Sequence, residues 1–289
     1  MTDIAGRTAF VTGGGSGIGR ALSLALASAG VHVVVADILE DNADAVAAEI
    51  TAAGGEALAV ACDVCERDSI RQAKAQANAA FGTVSLLFAN AGATSFVRLT
   101  DISDDEADWM TAVNLSGVTN CMRAFLPDML AARDGHVVAT ASMAGLIPSL
   151  VPYHVPYTAA KAGVIGMMLN LRDEIAEHGV GCTVFCPDGV ATRIAETPRY
   201  RPARFGGPSD GQITAPAGFL KMDMPDFRPP EEAVRQLLFG VRENRAMVVT
   251  NSARRAPFME RYVSVVAQAF DDAANFERDH LQTSGHRED

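Results

Sequence analysis

The stretch that decides the fold is Arg7-Thr8-Ala9-Phe10-Val11-Thr12 followed by Gly13-Gly14-Gly15-Ser16-Gly17-Ile18-Gly19. A short apolar run predicts a buried strand, and the glycine-rich turn after it opens a helical pattern from Gly17 to Ala29. Strand, glycine turn and helix N-terminus together make an anion site. Missing side chains let a diphosphate approach free backbone N–H groups, and the helix dipole faces it. A lone glycine pattern carries little. Here it stands at the first strand–helix turn, and Asp37 ends the next strand, 18 residues after Gly19. An acid there can accept hydrogen bonds from ribose hydroxyls, which predicts a dinucleotide site built on Gly13, Ser16, Gly17, Ile18, Gly19 and Asp37. Asp37 would repel a 2′-phosphate, and neither Ser16 nor Ile38 brings a compensating charge, so NAD is expected over NADP. Arg20 is the one nearby cation and reads as a solvated helix residue.

The alternation continues outward. Strands are expected at Val31–Ala36, Glu56–Ala61, Val84–Ala89, His136–Ala141, Val180–Cys186 and Ala246–Thr250. Helices are expected at Glu40–Ala53, Glu66–Phe81, Asp104–Ala132, Tyr157–His178, Pro230–Val241 and Ala256–Phe270. Strands apolar on both faces, alternating with helices, predict an α/β fold. It is a doubly wound (Rossmann) parallel sheet of about seven strands with helices on both faces. One domain over residues 1–274 is the simplest division, with 193–228 as a substrate-lid insertion and 275–289 as a polar, fraying tail.

Composition narrows the class. The 289 residues carry a net charge of −11, which argues against a nucleic-acid partner. The hydrophobic share of 48% suits a sizeable core. No run is apolar and long enough for a membrane span, and no secretory signal is visible, so a cytoplasmic location is expected. The five cysteines read as buried or free thiols; Cys62-x-x-Cys65 and Cys182-x3-Cys186 end strands, so no metal site is expected.

Tyr157 and Lys161 stand at i and i+4, on one face of a helix. A tyrosine has a pKa of about 10 and is a weak base at neutrality. A neighbouring ammonium is expected to lower it, so that the phenol trades its proton with an alcohol oxygen while hydride moves at the carbon. Ser142, just past the fifth strand, can hydrogen-bond the same oxygen.

The whole pattern resembles the short-chain dehydrogenase/reductase family. The TGxxxGxG loop stands at Thr12–Gly19, and the Asp63-Val64 pair follows the third strand. Asn90-Ala91-Gly92 follows the fourth, Asn114 lies in Val113-Asn114-Leu115-Ser116-Gly117, and Tyr157 and Lys161 form the Tyr-x3-Lys. Ser142 lies in Ala141-Ser142-Met143-Ala144-Gly145, and Cys186-Pro187-Asp188-Gly189-Val190-Ala191-Thr192 resembles the segment facing nicotinamide. The resemblance implies that Tyr157 is the acid/base and that Lys161 depresses its pKa and binds the nicotinamide ribose. Ser142 would orient substrate, and Asn114 would kink its helix and hold a relay water. Asp63 and Val64 would hold adenine; Asn90, Ala91, Gly92 and Pro187 would line the cofactor; Val190 and Thr192 would contact the carboxamide. It also implies a homotetramer or homodimer formed through the helices of Asn114 and Tyr157.

Two departures stand out. Ser142 and Tyr157 are 15 positions apart, about two more than is common in the family, so the loop 148–156 is expected to bulge over substrate. Asp188 replaces a usual glycine and reads first as a structural residue. Candidate substrate walls are Thr94–Val97, Met143–Val151, His154, Asp188 and 193–228. That last segment supplies Phe205, Phe219, Met222, Met224 and Phe227, which suit an apolar or aromatic substrate, while Arg193, Arg199, Arg201 and Arg204 read as solvated. His154 lies near the active loop and reads as a packing or solvent-facing residue. The Arg201–Gly206 stretch resembles dehydrogenases of benzylic alcohols in lignin-type aryl ethers. The expected activity is interconversion of a secondary alcohol and a ketone. The rivals are a 3-oxoacyl reductase, which would favour NADPH and a basic docking patch, and a catalytically silent dinucleotide sensor, which would not need Ser142, Tyr157 and Lys161.

Overall fold

Strand β1 (Thr8–Thr12) is buried along its whole length because both faces of the sheet are covered. Phe10 points into one apolar layer; Ala9 and Val11 point into the other. The same alternation holds in β2 (His32–Asp37), where Val34 and Ala36 oppose Val33 and Val35. The computed structural model describes residues 2–209 and 227–281. The remaining strands are β3 (Ala57–Ala61), β4 (Leu86–Ala89), β5 (Gly135–Thr140), β6 (Val180–Cys186) and β7 (Met247–Val249). All pairings are parallel, in the order β3-β2-β1-β4-β5-β6-β7. This is the expected seven-stranded doubly wound sheet.

Helices α1 (Gly17–Ser28), α2 (Glu40–Ala52) and α8 (Pro230–Arg242) cover one face with Leu22, Val46 and Leu237. Helices α3 (Arg67–Phe81), α5 (Gly117–Ala132) and α7 (Val155–Glu174) cover the other with Ile70, Phe125 and Val164. Short α4 (Asp104–Thr111), α6 (Met143–Leu146) and α9 (Arg255–Phe258) and the outlying α10 (Ser264–Phe276) complete the set of α-helices among the described residues. The order reverses between β1 and β4, and that switch point opens a crevice at the carboxyl ends of the strands.

Three elements differ from the sequence reading. The helix expected over Asp104–Ala132 is interrupted by a π-helical turn at Ala112–Ser116, which hydrophobic period did not show but where the family resemblance implied a kink at Asn114. Asn114 inside it turns its amide to the Ala93 and Met110 carbonyls (2.9 Å each), and that side-chain competition interrupts the regular ladder. The short helix α6 was not expected at all; Ser142 caps it, accepting from the Ala144 N–H at 3.1 Å. The last helix does not stop near Phe270 but runs through Asn275 to Leu281, where a tail was expected. In the 193–228 segment, short 3-10 turns cover Ile194–Tyr200 and Ala203–Phe205. Phe219, Met222 and Met224 lie outside the described residues, as do residues 282–289. Among the described residues no helix is long and apolar enough to cross a membrane.

Candidate active site

A cleft of about 350 Å³ lies over the carboxyl ends of the strands and reaches from Asp37 to Tyr157. At one end the glycine loop enters α1. Gly17 has φ +50 and faces Thr192; a Cβ on Gly19 would stand 1.9 Å from the Gly13 carbonyl oxygen. Ser16 is the N-cap of α1, yet its hydroxyl makes no cap bond, and the first turn carries no acid. The positive end of the dipole is therefore left uncompensated, which fits a diphosphate.

Asp37 closes this end. Its Oδ2 accepts from the Gly15 N–H and its Oδ1 from the Leu39 N–H, both at 3.0 Å. Burial pushes its pKa up, and bonds from the Leu39, Gly15 and Ile38 backbone pull the other way. Arg193, whose charge acts on Asp37, and Arg20 of α1 are both already paired. Arg20 grips Glu49 at 2.6 Å, and Arg193 grips Glu196 at 2.8 Å. Arg20 is thus ion-paired, not merely solvated. Asp63 accepts from the Cys65 N–H (2.9 Å) and from Arg204 Nη2 (2.7 Å), which ties the Ala203–Phe205 turn to the segment after β3. Arg201 lies 3.6 Å from Glu106, so these arginines serve the chain's own carboxylates. Val64 is buried against Gly117.

The central floor is Asn90-Ala91-Gly92. The Thr12 hydroxyl accepts from the Asn90 and Ala91 N–H groups at 2.9 and 3.0 Å. Asn90 Oδ1 accepts from the Thr140 hydroxyl at 3.1 Å. Behind Gly92 lies Asn114, fully buried, its Oδ1 accepting from the Ala93 N–H at 3.3 Å. Of the residues predicted for the site, Gly19 and Asn114 do not line the cleft; each supports a neighbour that does.

The chemistry-bearing end holds Ser142, Tyr157 and Lys161 together. Tyr157 and Lys161 share one buried face of α7, and Lys161 Nζ stands 5.6 Å from the tyrosine ring centroid. That Nζ donates to the Thr140 carbonyl at 2.8 Å. The expected acidification of the phenol is not what this environment produces. Burial pushes Tyr157 up to about 12, with only the Ser142 hydroxyl opposing. Burial also pushes Lys161 down to about 8. Desolvation of both groups outweighs their mutual effect. At neutral pH the phenol is a proton donor and the amine still carries most of its charge.

The sequence reading gave His154 a place in the candidate wall with a packing or solvent role, and the structure makes it a packing residue, stacked directly on the tyrosine. The rings lie 4.1 Å apart at 11°, and Phe96 stacks on the far face of His154 at 4.5 Å and 16°. Nε2 of His154 shares a 2.7 Å hydrogen bond with the Thr94 hydroxyl. Burial pushes this histidine down to about 4, so it is neutral beside the tyrosine. Only its position three residues before Tyr157 signalled this.

Asp188 is structural, as expected. Its Oδ2 accepts from Asn251 Nδ2 (2.7 Å) and Arg254 Nε (2.8 Å), and its N–H donates to the Thr250 hydroxyl (2.9 Å). This ties the end of β6 to the end of β7. Arg254, which no sequence pattern indicated, thereby joins the cleft wall. Pro187 accepts from the Met143 N–H at 2.9 Å, Val190 bridges to Arg228, and Thr192 faces Gly17. Leu150 and Val151 of the long loop line the cleft. Among the described residues no group of three or more His, Cys, Asp or Glu is placed to hold a metal.

Comparison with known proteins agrees with this arrangement. Residues 7–201 match the short chain dehydrogenase family. The chain belongs to that family, and is an oxidoreductase of it. It is 30% identical over 92% of its length, and 87% of the relative's, to a C alpha-dehydrogenase of Sphingobium sp. (strain NBRC 103272 / SYK-6). It is 35% identical over 77% of its length, and 92% of the relative's, to a 3-oxoacyl-[acyl-carrier-protein] reductase of Synechocystis sp. (strain ATCC 27184 / PCC 6803 / Kazusa). A solved short chain dehydrogenase/reductase from Burkholderia phymatum, in complex with NAD, superposes with a TM-score of 0.85 at 31% identity, covering 93% of this chain and 97% of the other.

Proposed function

We propose that this chain is an NAD-dependent oxidoreductase interconverting a secondary alcohol and a ketone, with a bulky apolar or aromatic substrate. The observation that carries the reading is the joining of two ends in one cleft: Asp37 and an uncompensated helix N-terminus at one, Ser142, Tyr157 and Lys161 at the other. Bound NAD would supply the hydride acceptor at its nicotinamide ring. Gly13, Ser16, Gly17 and Ile18 would hold its diphosphate, Asp37 its adenosine ribose, and Asp63 and Val64 its adenine. Asn90, Ala91, Gly92, Pro187, Val190 and Thr192 would line the remainder, with Tyr157 and Lys161 at the second ribose.

The chain's own groups handle the proton. Tyr157, neutral at pH 7, would donate to a ketone oxygen or, once deprotonated, accept from an alcohol. Ser142 would hydrogen-bond that oxygen, and Lys161 would stabilise the phenolate. Asn114 would act from behind Gly92 by fixing the floor. Leu150, Val151 and Phe227 suit an apolar ring, and the likeness to a C alpha-dehydrogenase makes aryl secondary alcohols the class to try first. The five cysteines are unpaired thiols, which supports a reducing compartment such as the cytoplasm. A homodimer or homotetramer through α5 and α7 belongs to the same proposal.

A 3-oxoacyl reductase is the second reading, favoured by the Synechocystis relative. Asp37, with Arg20 and Arg193 both paired, stands against the NADPH that reading prefers. One experiment separates them: oxidation of aryl, alicyclic and steroid secondary alcohols, followed at 340 nm with NAD and with NADP. NAD is expected to support turnover well above NADP, and Asp37→Ala to narrow the gap. Equal use of the two by the unmutated chain, or turnover only of 3-oxoacyl thioesters with NADPH, would overturn the proposal.

A further inference from the structure

The cleft wall beside Ser142 carries an ion pair whose bonding capacity is only partly used. Asp188 follows Pro187, whose carbonyl accepts from the Met143 N–H at 2.9 Å, so the pair stands next to the segment that carries Ser142. Asp188 and Arg254 both line the cleft. Their side chains are 7% and 17% exposed, so they are set into the wall and not splayed into solvent. One carboxylate oxygen does the structural work: Oδ2 of Asp188 accepts from both Asn251 Nδ2 and Arg254 Nε. Among the described residues Oδ1 of Asp188 has no hydrogen-bond partner, and neither have the two Nη groups of Arg254. None of these atoms is among the polar side-chain atoms sealed from solvent without a partner. A guanidinium has five donors and a carboxylate about four acceptor positions, so several remain open here.

The other charges of the cleft are committed. Lys161 donates to the Thr140 carbonyl, Arg193 holds Glu196, and Asp63 holds Arg204. Asp188 and Arg254 cancel in charge, so the pair does not call for an anion; a carboxylate placed on Arg254 would also meet Asp188. What the pair offers is a donor beside an acceptor. A hydroxyl satisfies both, accepting from Arg254 and donating to Oδ1 of Asp188. An ether oxygen only accepts, and leaves Oδ1 unpaired once substrate has displaced water. The neighbouring wall is apolar, with Met143, Leu150 and Val151, and offers such a hydroxyl no competing partner of its own side chains.

We propose that Asp188 and Arg254 form a specificity site for a second hydroxyl of the substrate. The preferred substrate is then an aryl secondary alcohol, or the matching ketone, with a further hydroxyl on a neighbouring carbon. This rests on the alcohol–ketone reading of the cleft. It also gives a use to Asp188, the residue at which this chain departs from the family pattern.

The test compares phenylethylene glycol with its terminal methyl ether, which keeps the oxygen and loses the donor. The unmutated chain with NAD is expected to favour the glycol in kcat/KM by about tenfold or more, because a site built to bond a hydroxyl rejects an analogue that leaves its polar groups unpaired. Asp188→Asn puts a donor where Oδ1 accepts, and is expected to bring the ratio to within about twofold of unity. Arg254→Lys keeps a cation beside Asp188 without the Nη fork, and is expected to lower the ratio as well. Asn251→Ala loosens the tie at Oδ2 alone; it is expected to lower the melting temperature and keep the ratio. Calorimetric titration of both compounds into the chain with NADH reads the same order without turnover. That order in binding with turnover of neither compound would overturn the alcohol–ketone reading and leave the hydroxyl site standing. Equal binding of the two by the unmutated chain, a preference for mandelate over the glycol, or a ratio lost equally in Asn251→Ala would each overturn the hydroxyl site.

Discussion

Tyr157 is held by three kinds of contact: Lys161 above its ring, Ser142 beside its hydroxyl, and the flat face of His154. The first two were legible in the sequence because spacing and element ends fixed them. The third was not, because Phe96, Thr94 and His154 meet only once two separate loops fold over the same strand ends. The effect of burial was not legible either. Proximity of an amine predicts an acidified phenol, whereas desolvation pushes the phenol to about 12 and the amine to about 8. His154 is neutral at working pH, so its contribution is steric: it fixes the plane of the tyrosine ring. Displacing a reacting group by about 1 Å can cost up to 100-fold in rate. His154→Ala is therefore expected to lower kcat about tenfold or more with little change in the KM for NAD, and His154→Phe to recover most of the loss. A kcat unchanged by His154→Ala would remove the stack from the account.

At the scale of elements, the strands and most helices followed from hydrophobic period alone, with ends shifted by a residue or two. What period alone missed was local side-chain competition with the backbone. Asn114 bonds two carbonyls and opens a π turn, a kink that only the family resemblance had signalled; Ser142 caps a four-residue helix that no period could reveal. The glycine turn was legible because its spacing is a packing requirement. Gly19 gives the tightest case, since a methyl group there meets the Gly13 carbonyl oxygen. Gly19→Ala must displace the loop, with a stability cost of about 1–3 kcal/mol. It is expected to weaken NADH binding at least tenfold by fluorescence titration. Binding at parental strength would show that the loop does not hold the diphosphate.

Across the whole molecule, the sheet order and the switch-point crevice were the most legible features, because chirality and alternation leave few alternatives. The reach of Arg254 to Asp188 and of Arg204 to Asp63 was the least legible, because these pairs join segments far apart in the chain. The fold also buries two histidines in their neutral form. Burial pushes His136 to about 3 and His154 to about 4. An unfolded histidine titrates near 6.5. Between those values the unfolded chain binds protons that the folded chain refuses, so stability is present above pH 6.5 and is lost as pH falls toward 4. Each unit in that window costs about 1.4 kcal/mol per histidine. The thermal midpoint is expected to drop steeply from pH 6.5 to 4, and less steeply in His154→Phe. A flat profile would contradict the burial of these rings.

The proton-transfer role of Tyr157 is tested most directly by single-turnover reaction of saturating enzyme–NAD with an aryl secondary alcohol, read as NADH absorbance. In Tyr157→Phe the NADH signal is expected to vanish while NADH affinity stays within about threefold of the parent. NADH formed by Tyr157→Phe at the parental rate would contradict the account.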